Sequence, residues 1–422
     1  MTDEAIYIDG GTRLVGEAEV QGSKNAALPM IAASILAETG QTVLHRVPPV
    51  KDVQLALEIL RQLGAKVDYD SERGDLVVDA SSINKTELPG ELSNRLRASL
   101  LFVGPLLSRF REVNIEEVGG CTIGARPTDY HYRGFARMGA SVTGVGHGGY
   151  RVKAETLCGA RMYCDLPSHT GVENLMMAAS LSEGESVIVN AASDPDISDF
   201  AELLTKMGAK VGGVGTRNVT VTGVDKLHGA EHTVMYDRLD AGMFMMAAAI
   251  TRGDVILRGV NRHHIEIFEA KLLQMGVDIE DRGDLVRIAG PDCLQPINVV
   301  STFYPGFPTD LQPSITALAC AAGGDSYIRE TVFEDRFGHV KNLRAFGANL
   351  SLEKDRVVIV RGPSRLKGAR VRADDIRAGG ACLLASLAAE GRTSITNLYQ
   401  LDRGHAFLTE RLRELGATIE RL

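Results

Sequence analysis

The chain has 422 residues, a formal net charge of −8, 44% hydrophobic and 24% charged residues, and 45 glycines. That length builds two or three domains with sizeable cores, the composition is globular, and the acidic balance argues against a nucleic-acid partner. No apolar run reaches the roughly 18 residues of a membrane span, and the six cysteines (121, 158, 164, 293, 320 and 382) show no C-x-x-C spacing. This argues against a spanning helix, structural zinc or a disulfide scaffold, and fits a reducing cytoplasm.

From the N-terminus, MTDEAIYIDGG lacks the basic-then-apolar order of a signal peptide. IYIDGGTRLVGEAEV reads as strands preceding a repeat, able to pair with either half of the molecule. The repeat then sets in. LGA at 63–65, MGA at 138–140 and 207–209, MGV at 275–277, FGA at 346–348 and LGA at 415–417 place glycines 64, 139, 208, 276, 347 and 416 at intervals of 68 to 75 residues. A fixed period of this kind predicts six copies of one supersecondary unit.

Each copy has two halves. The first is an apolar helix, as in MIAASILAETG of copy one, ENLMMAASLSEG of copy three, FMMAAAITRG, SITALACAAGG and ACLLASLAAEG. Such helices are apolar nearly all round and are expected to be buried on every side, with alanine and serine allowing close packing. The second is an amphipathic helix such as VQLALEILRQLGA or FLTERLRELGA, stopped by the repeat glycine and followed by a strand. One unit cannot bury both helices alone, so three copies around an axis make a domain, six make two, and the seam falls near 223–236.

The copies differ where chemistry is expected. In five of them the distance from first-helix end to repeat glycine is 23 to 25 residues; copy two takes 29, from Phe110 to Gly139, and the surplus contains GGCTIGARP. A glycine-flanked insertion carrying Cys121 and Arg126 reads as an active-site loop, against the blander reading of a buried cysteine in a turn. Cys320 and Cys382 lie in apolar helices and keep that blander reading. The first-helix starts carry Lys24-Asn25, Arg97, Asp237-Arg238, Thr309-Asp310, and Asp375 with Arg377; Arg126, Arg336 and Arg403 open the second helices. Any one arginine is ordinarily a solvated charge. At equivalent repeat positions they predict a set of helix N-termini and cations for multiply anionic substrates, with Asp310 as a buried carboxylate. Neither G-x-G-x-x-G nor G-x-x-x-x-G-K-[ST] occurs, so no nucleotide cofactor is called for, and no metal.

GSKNAALP (22–29), GGCTIGARPTD (119–129), FPTDLQ (307–312), FEDRF (333–337), IRAGGA (376–381) and LDRG (401–404) give the chain a resemblance, over almost its whole length, to the UDP-N-acetylglucosamine 1-carboxyvinyltransferases of the enolpyruvyl transferase family. The resemblance implies two inside-out α/β domains, each of three repeated units with buried helices and outer sheets: 24–235, and 1–23 plus 236–422. It implies phosphoenolpyruvate and UDP-N-acetylglucosamine as substrates, no cofactor, no membrane or nucleic-acid partner, and leaves the oligomeric state open. By position, Lys24 and Asn25 match the phosphoenolpyruvate-binding pair; Arg126 and Arg403 join Lys24 at its phosphate, and Arg377 its carboxylate end. Arg97, Arg126, Pro127, Thr128, Asp129, Tyr130, Asp310 and Val332 match positions that hold the UDP-sugar. Cys121 matches the proton donor and the fosfomycin-reactive thiol, Asp310 the acceptor of the hydroxyl proton, and Asp237 and Asp194 are candidate stabilisers of positive charge at C2. Two places depart from the family: Thr128 and Tyr130 stand where valine and leucine are commoner, and Leu166-Pro167-Ser168-His169-Thr170 where lysine and small apolar residues are.

Overall fold

The structure is a computed structural model and describes residues 4–116, 118–119, 123–124, 126–146 and 148–422. Two compact units emerge. The N-terminal unit comprises the described residues of Gly22–Cys121 and Pro127–Met235; the C-terminal unit comprises those of Met1–Gln21, Thr122–Arg126 and Tyr236–Leu422.

Each copy supplies a first and a second helix. In the N-terminal unit these are α1 (Lys24–Ala33) and α2 (Lys51–Leu63), α3 (Val103–Phe110) and α4 (Asp129–Arg137), then α5 (His169–Ala179) and α6 (Pro195–Lys206). In the C-terminal unit they are α7 (Arg238–Ile250) and α8 (Glu266–Gln274), α9 (Gln312–Ala319) and α10 (Gly338–Ala345), then α11 (Ile376–Ala388) and α12 (Leu408–Glu414). The first helices are the buried ones: every residue of α9 and all of α7 but Arg238 are buried, as are nine of the ten in α1. In the C-terminal unit α7, α9 and α11 pack on one another, and their alanines and glycines permit the close approach.

The repeat glycines have a single conformational cause. Glycines 64, 139, 208, 276, 347 and 416 all lie at φ between +88° and +107°, just after a second helix. An L-residue meets its own carbonyl in that region, so the left-handed turn that reverses the chain into the next strand selects glycine six times over.

The sheets explain where the N-terminal strands go. In five copies the strand after the first helix pairs antiparallel with one strand of the following hairpin. In most it also takes a parallel edge strand from the end of the preceding copy, as Arg161–Tyr163 pairs Glu185–Val189 and Asn298–Ser301 pairs Asp325–Glu330. The N-terminal unit closes on itself because Glu231–Thr233, at the end of copy three, pairs parallel with Thr42–His45 of copy one. In the C-terminal unit two strands of the N-terminal segment complete the sheets. Ala5–Asp9 inserts antiparallel between Arg392–Thr396 and Thr418–Arg421, and Val15–Glu19 pairs parallel with Asp254–Arg258.

Candidate active site

In the N-terminal unit the first-helix starts are built alike in copies one and three. Ser23 caps α1 and accepts from the Ala26 amide at 3.2 Å; Ser168 caps α5 and accepts from the Gly171 amide at 3.3 Å. A cationic or protonatable residue follows each cap. Lys24 is buried and its Nζ lies 3.2 Å from Oδ2 of Asp52 in the first turn of α2. His169 faces Glu173 of its own helix at 3.4 Å, and Asp194 and Asp196 at the start of α6 at 3.5 and 3.8 Å. Burial opposes a charge on His169, yet Asp194 and Glu173 outweigh it and hold its pKa well above 6.5. Burial pushes the Glu173 carboxyl up to about 7 while His169 pulls it down. The two clusters join, because the Ser23 hydroxyl donates to Asp196 Oδ1 at 2.6 Å.

Copy two brings Arg97 to the start of a 3-10 turn, Arg97–Phe102, where burial presses its pKa down and the neighbouring Tyr130 and Tyr132 act the other way. The Tyr130 hydroxyl lies 2.6 Å from Ser168 Oγ, and its ring stacks on His131 with centroids 4.6 Å apart. His131 is fully buried, held to Asn174 at 3.0 Å, and burial with the nearby Arg97 pushes its pKa down to about 3. Asn25 is half-buried on α1; Pro127 and Asp129 are exposed, Thr128 half-buried, and Asp129 pairs with Arg133 at 3.2 Å.

In the C-terminal unit Asp310 is the centre. It lies in a 3-10 turn, Thr309–Leu311, that leads into α9. Its Oδ1 takes Arg336 at 2.5 Å and its Oδ2 takes Arg377 at 2.7 Å. Its side chain is 24% exposed, so the carboxylate read from the sequence as buried is half-open; the 3-10 turn places it at the helix entrance and not within the helix. Arg377 follows the cap of α11, Asp375, which accepts from the Arg377 and Ala378 amides. Burial opposes the Arg377 charge, but Asp310 and then Asp237 outweigh it and raise its pKa. Glu330 braces the same corner: it accepts from Thr309 at 2.7 Å and from the Val332 amide at 2.7 Å. Phe333 lies under two guanidinium groups, Arg336 at 4.6 Å and Arg126 at 5.7 Å from its centroid.

Arg126 adopts a left-handed backbone, φ +41°, before α4. Arg403 does not open α12. It ends a separate helical turn, Tyr399–Asp402, and is buried with Nη1 3.1 Å from Gln400 Oε1. Gln21 grips the chain just beyond it, donating to the Gly404 carbonyl at 3.0 Å and accepting from the Ala406 amide at 2.7 Å.

So the structure gathers Arg126, Asp310, Val332 and Arg377 in one unit and Lys24, Asn25, Arg97 and Tyr130 in the other. Cys121 lies outside the described residues. Asp52, Asp196 and Glu173 escaped the reading of the sequence, and His169 entered it only as part of a departure from the family. A signal was present: Asp52 and Asp196 each stand twelve residues before their repeat glycine, and Lys24 and His169 each follow a serine at a first-helix start.

A family model described as EPSP synthase (3-phosphoshikimate 1-carboxyvinyltransferase) matches residues 8–412. The chain is 46% identical to a UDP-N-acetylglucosamine 1-carboxyvinyltransferase of Thermobifida fusca, over 100% of this chain and 99% of that one. It is 46% identical to UDP-N-acetylglucosamine 1-carboxyvinyltransferase 1 of Halalkalibacterium halodurans, over 99% and 94%. Among solved structures, the enolpyruvyl transferase NikO from Streptomyces tendae superposes with a TM-score of 0.91 at 26% identity, covering 99% of both chains. An EPSP synthase from Acinetobacter baumannii shares the fold with a TM-score of 0.76 at 20% identity, covering 99% and 100%. The chain belongs to the enolpyruvyl transferase family, in its UDP-N-acetylglucosamine 1-carboxyvinyltransferase branch.

Proposed function

We propose that this chain transfers the enolpyruvyl group of phosphoenolpyruvate to the 3′-hydroxyl of UDP-N-acetylglucosamine, releasing phosphate, as a cytoplasmic step of peptidoglycan precursor synthesis. The observation that carries this is whole-length identity of 46% to transferases named for that acceptor, in a chain that keeps Lys24, Cys121, Asp310 and Arg403.

The chemistry is addition then elimination. The hydroxyl oxygen bonds to C2 of phosphoenolpyruvate as C3 gains a proton, giving a tetrahedral intermediate. Loss of a proton from C3 and of the C2–O bond to phosphate then yields the enol ether and inorganic phosphate. Cys121 delivers the proton to C3, and Asp310 takes the hydroxyl proton. Lys24, Asn25, Arg126 and Arg403 hold the phosphate end, and Arg377 the carboxylate. Arg97, Pro127, Thr128, Asp129, Tyr130 and Val332 hold the UDP-sugar. Asp237, within electrostatic reach of Arg377, and Asp194 stabilise positive charge at C2.

The Asp310 pair supplies a coupling. A carboxylate held by two arginines is a poor base, since both stabilise its anion. When the carboxylate of phosphoenolpyruvate engages Arg377, Asp310 loses one partner and gains basicity, so base strength rises once the second substrate is seated. A coupled phosphate-release assay tests the function. Release is expected with UDP-N-acetylglucosamine and its block by fosfomycin; faster release with a free nucleotide or shikimate 3-phosphate overturns the acceptor.

A further inference from the structure

Copies one and three of the N-terminal unit share a pattern that reaches beyond sequence likeness. A serine caps the first helix, a protonatable side chain follows it, and that side chain faces an aspartate twelve residues before the repeat glycine: Ser23–Lys24–Asp52 and Ser168–His169–Asp196. Arg97 takes the corresponding place in copy two, at the start of its 3-10 turn. The three helix starts of one unit therefore carry Lys24, Arg97 and His169, and the third is an imidazole.

We propose that His169, as an imidazolium, is the positioning residue that keeps this unit competent for an anionic substrate, by neutralising the carboxylates gathered at the starts of α1, α5 and α6. Glu173, Asp194 and Asp196 lie within 3.8 Å of its ring nitrogens. Without the imidazolium they set added negative charge beside the amide groups of α5 and, through the Ser23–Asp196 bond, beside the cap that presents Lys24. Among the described residues the groups around α5 include Glu173 on the helix itself, Asp194 and Asp196 from α6, Lys24 from α1, Arg97 from the copy-two turn, and Tyr130 and His131 from α4, of which His131 is neutral. The carboxylates favour the protonated ring and raise its pKa.

It rests on the proposed function for the identity of the anion, UDP-N-acetylglucosamine, and the test separates the two. In the full chain labelled with ¹⁵N-histidine, the His169 ring is expected to titrate well above pH 6.5, whatever the enzyme acts on. A ring that titrates at or below 6.5 overturns the proposal. Calorimetry with UDP-N-acetylglucosamine then reads the consequence. Affinity falls as pH rises through that titration, because the imidazolium is lost. His169→Gln is expected to bind about tenfold more weakly at pH 7, with KM raised more than kcat is lowered, and Glu173→Gln added to it restores much of the loss by removing a facing charge. His169→Lys recovers affinity and abolishes the pH dependence. His169→Lys that melts like the parent yet binds no better than His169→Gln overturns the proposal. A parent that shows the raised titration but releases no phosphate with this acceptor condemns the acceptor assignment instead.

Discussion

In the C-terminal unit one carboxylate, Asp310, lies between Arg336 and Arg377; in the N-terminal unit one imidazole, His169, lies among Glu173, Asp194 and Asp196. Both centres occupy the same place in the repeat, where a first helix begins and the second helix of the same or a neighbouring copy comes up beside it. The scaffold is held constant by buried helices and left-handed glycines, and the sign of the charge is free to invert. This difference shows that the fold specifies a location and the individual copy specifies the chemistry.

Replacing the central group of the C-terminal arrangement has the largest expected effect. Asp310→Asn keeps the shape but not the anion, so it removes the proposed base and leaves two guanidinium groups sharing a neutral amide. kcat is expected to fall by about 10² to 10⁴, the range typical of a positioned acid or base. Phosphate release under saturating substrates measures it, and a fall of less than threefold would place the base elsewhere. Cys121→Ser should lose activity on the same scale and escape fosfomycin labelling, whereas Cys121→Asp keeps a proton to give.

A second ion pair of the C-terminal unit is structural and gives the contrast between a buried pair and the half-open Asp310. Asp240 is buried on α7 and takes Arg411 at 2.7 and 2.9 Å. Burial pushes its carboxyl up, but Arg411 and His405 outweigh it and leave its pKa well below the ordinary carboxylate range. A pKa lowered by folding means stability that is full above about pH 4, the unfolded value, and lost as pH falls further. Asp240→Asn leaves Arg411 unmatched and is expected to cost about 3 kcal/mol at pH 7. Thermal melts between pH 7 and pH 3 should show a smaller acid loss in the variant than in the parent.

The two units also carry a matched pair. His131 and His339 each stand eight residues before a repeat glycine, each is buried, and burial pushes each pKa down to about 3, helped by Arg97 in one unit and Arg336 in the other. Their stabilising share is complete above about pH 6.5, the unfolded value, and declines as pH falls toward 3, since the unfolded chain takes up the proton first. At pH 5.5 each withdraws up to about 1.4 kcal/mol relative to pH 7.5. His339→Leu should flatten that part of the stability profile, and an unchanged slope would show that the ring takes up its proton alike in the folded and unfolded chain.

The scaffold was readable in the sequence because its causes are local. Periodic glycines and apolar helices are each properties of a few neighbouring residues, and they give the repeat and the buried helices. Arg126, Asp310 and Arg377 were readable as well, through their repeat positions. What stayed hidden depends on pairing across copies. Asp196 looks like an ordinary first-turn acid until the Ser23 hydroxyl is found on it. His169 looks like a chance departure until three carboxylates from two helices surround it. The partners of Ala5–Asp9 and Val15–Glu19 stay hidden for the same reason, since they lie hundreds of residues away, at Arg392–Thr396 and Thr418–Arg421 for the first and Asp254–Arg258 for the second.

The smallest expected effect tests the scaffold side of the contrast, the claim that the repeat glycines are chosen for backbone conformation and not for space. Gly276 (φ +88°) has open surroundings: a methyl group there meets nothing closer than the Pro291 ring at 3.7 Å. Gly276→Ala therefore carries only the left-handed strain of an L-residue, about 1 kcal/mol. Gly64 (φ +107°) is crowded as well, with the Ser82 carbonyl 3.0 Å and Asn84 Oδ1 3.2 Å from the same point. Gly64→Ala adds steric contact to strain and should cost more than Gly276→Ala by a further amount of about 1 kcal/mol. Denaturant melts of the two variants decide it. If Gly276→Ala proved neutral, the left-handed turn would not be what selects glycine, and the six-fold recurrence would need another cause.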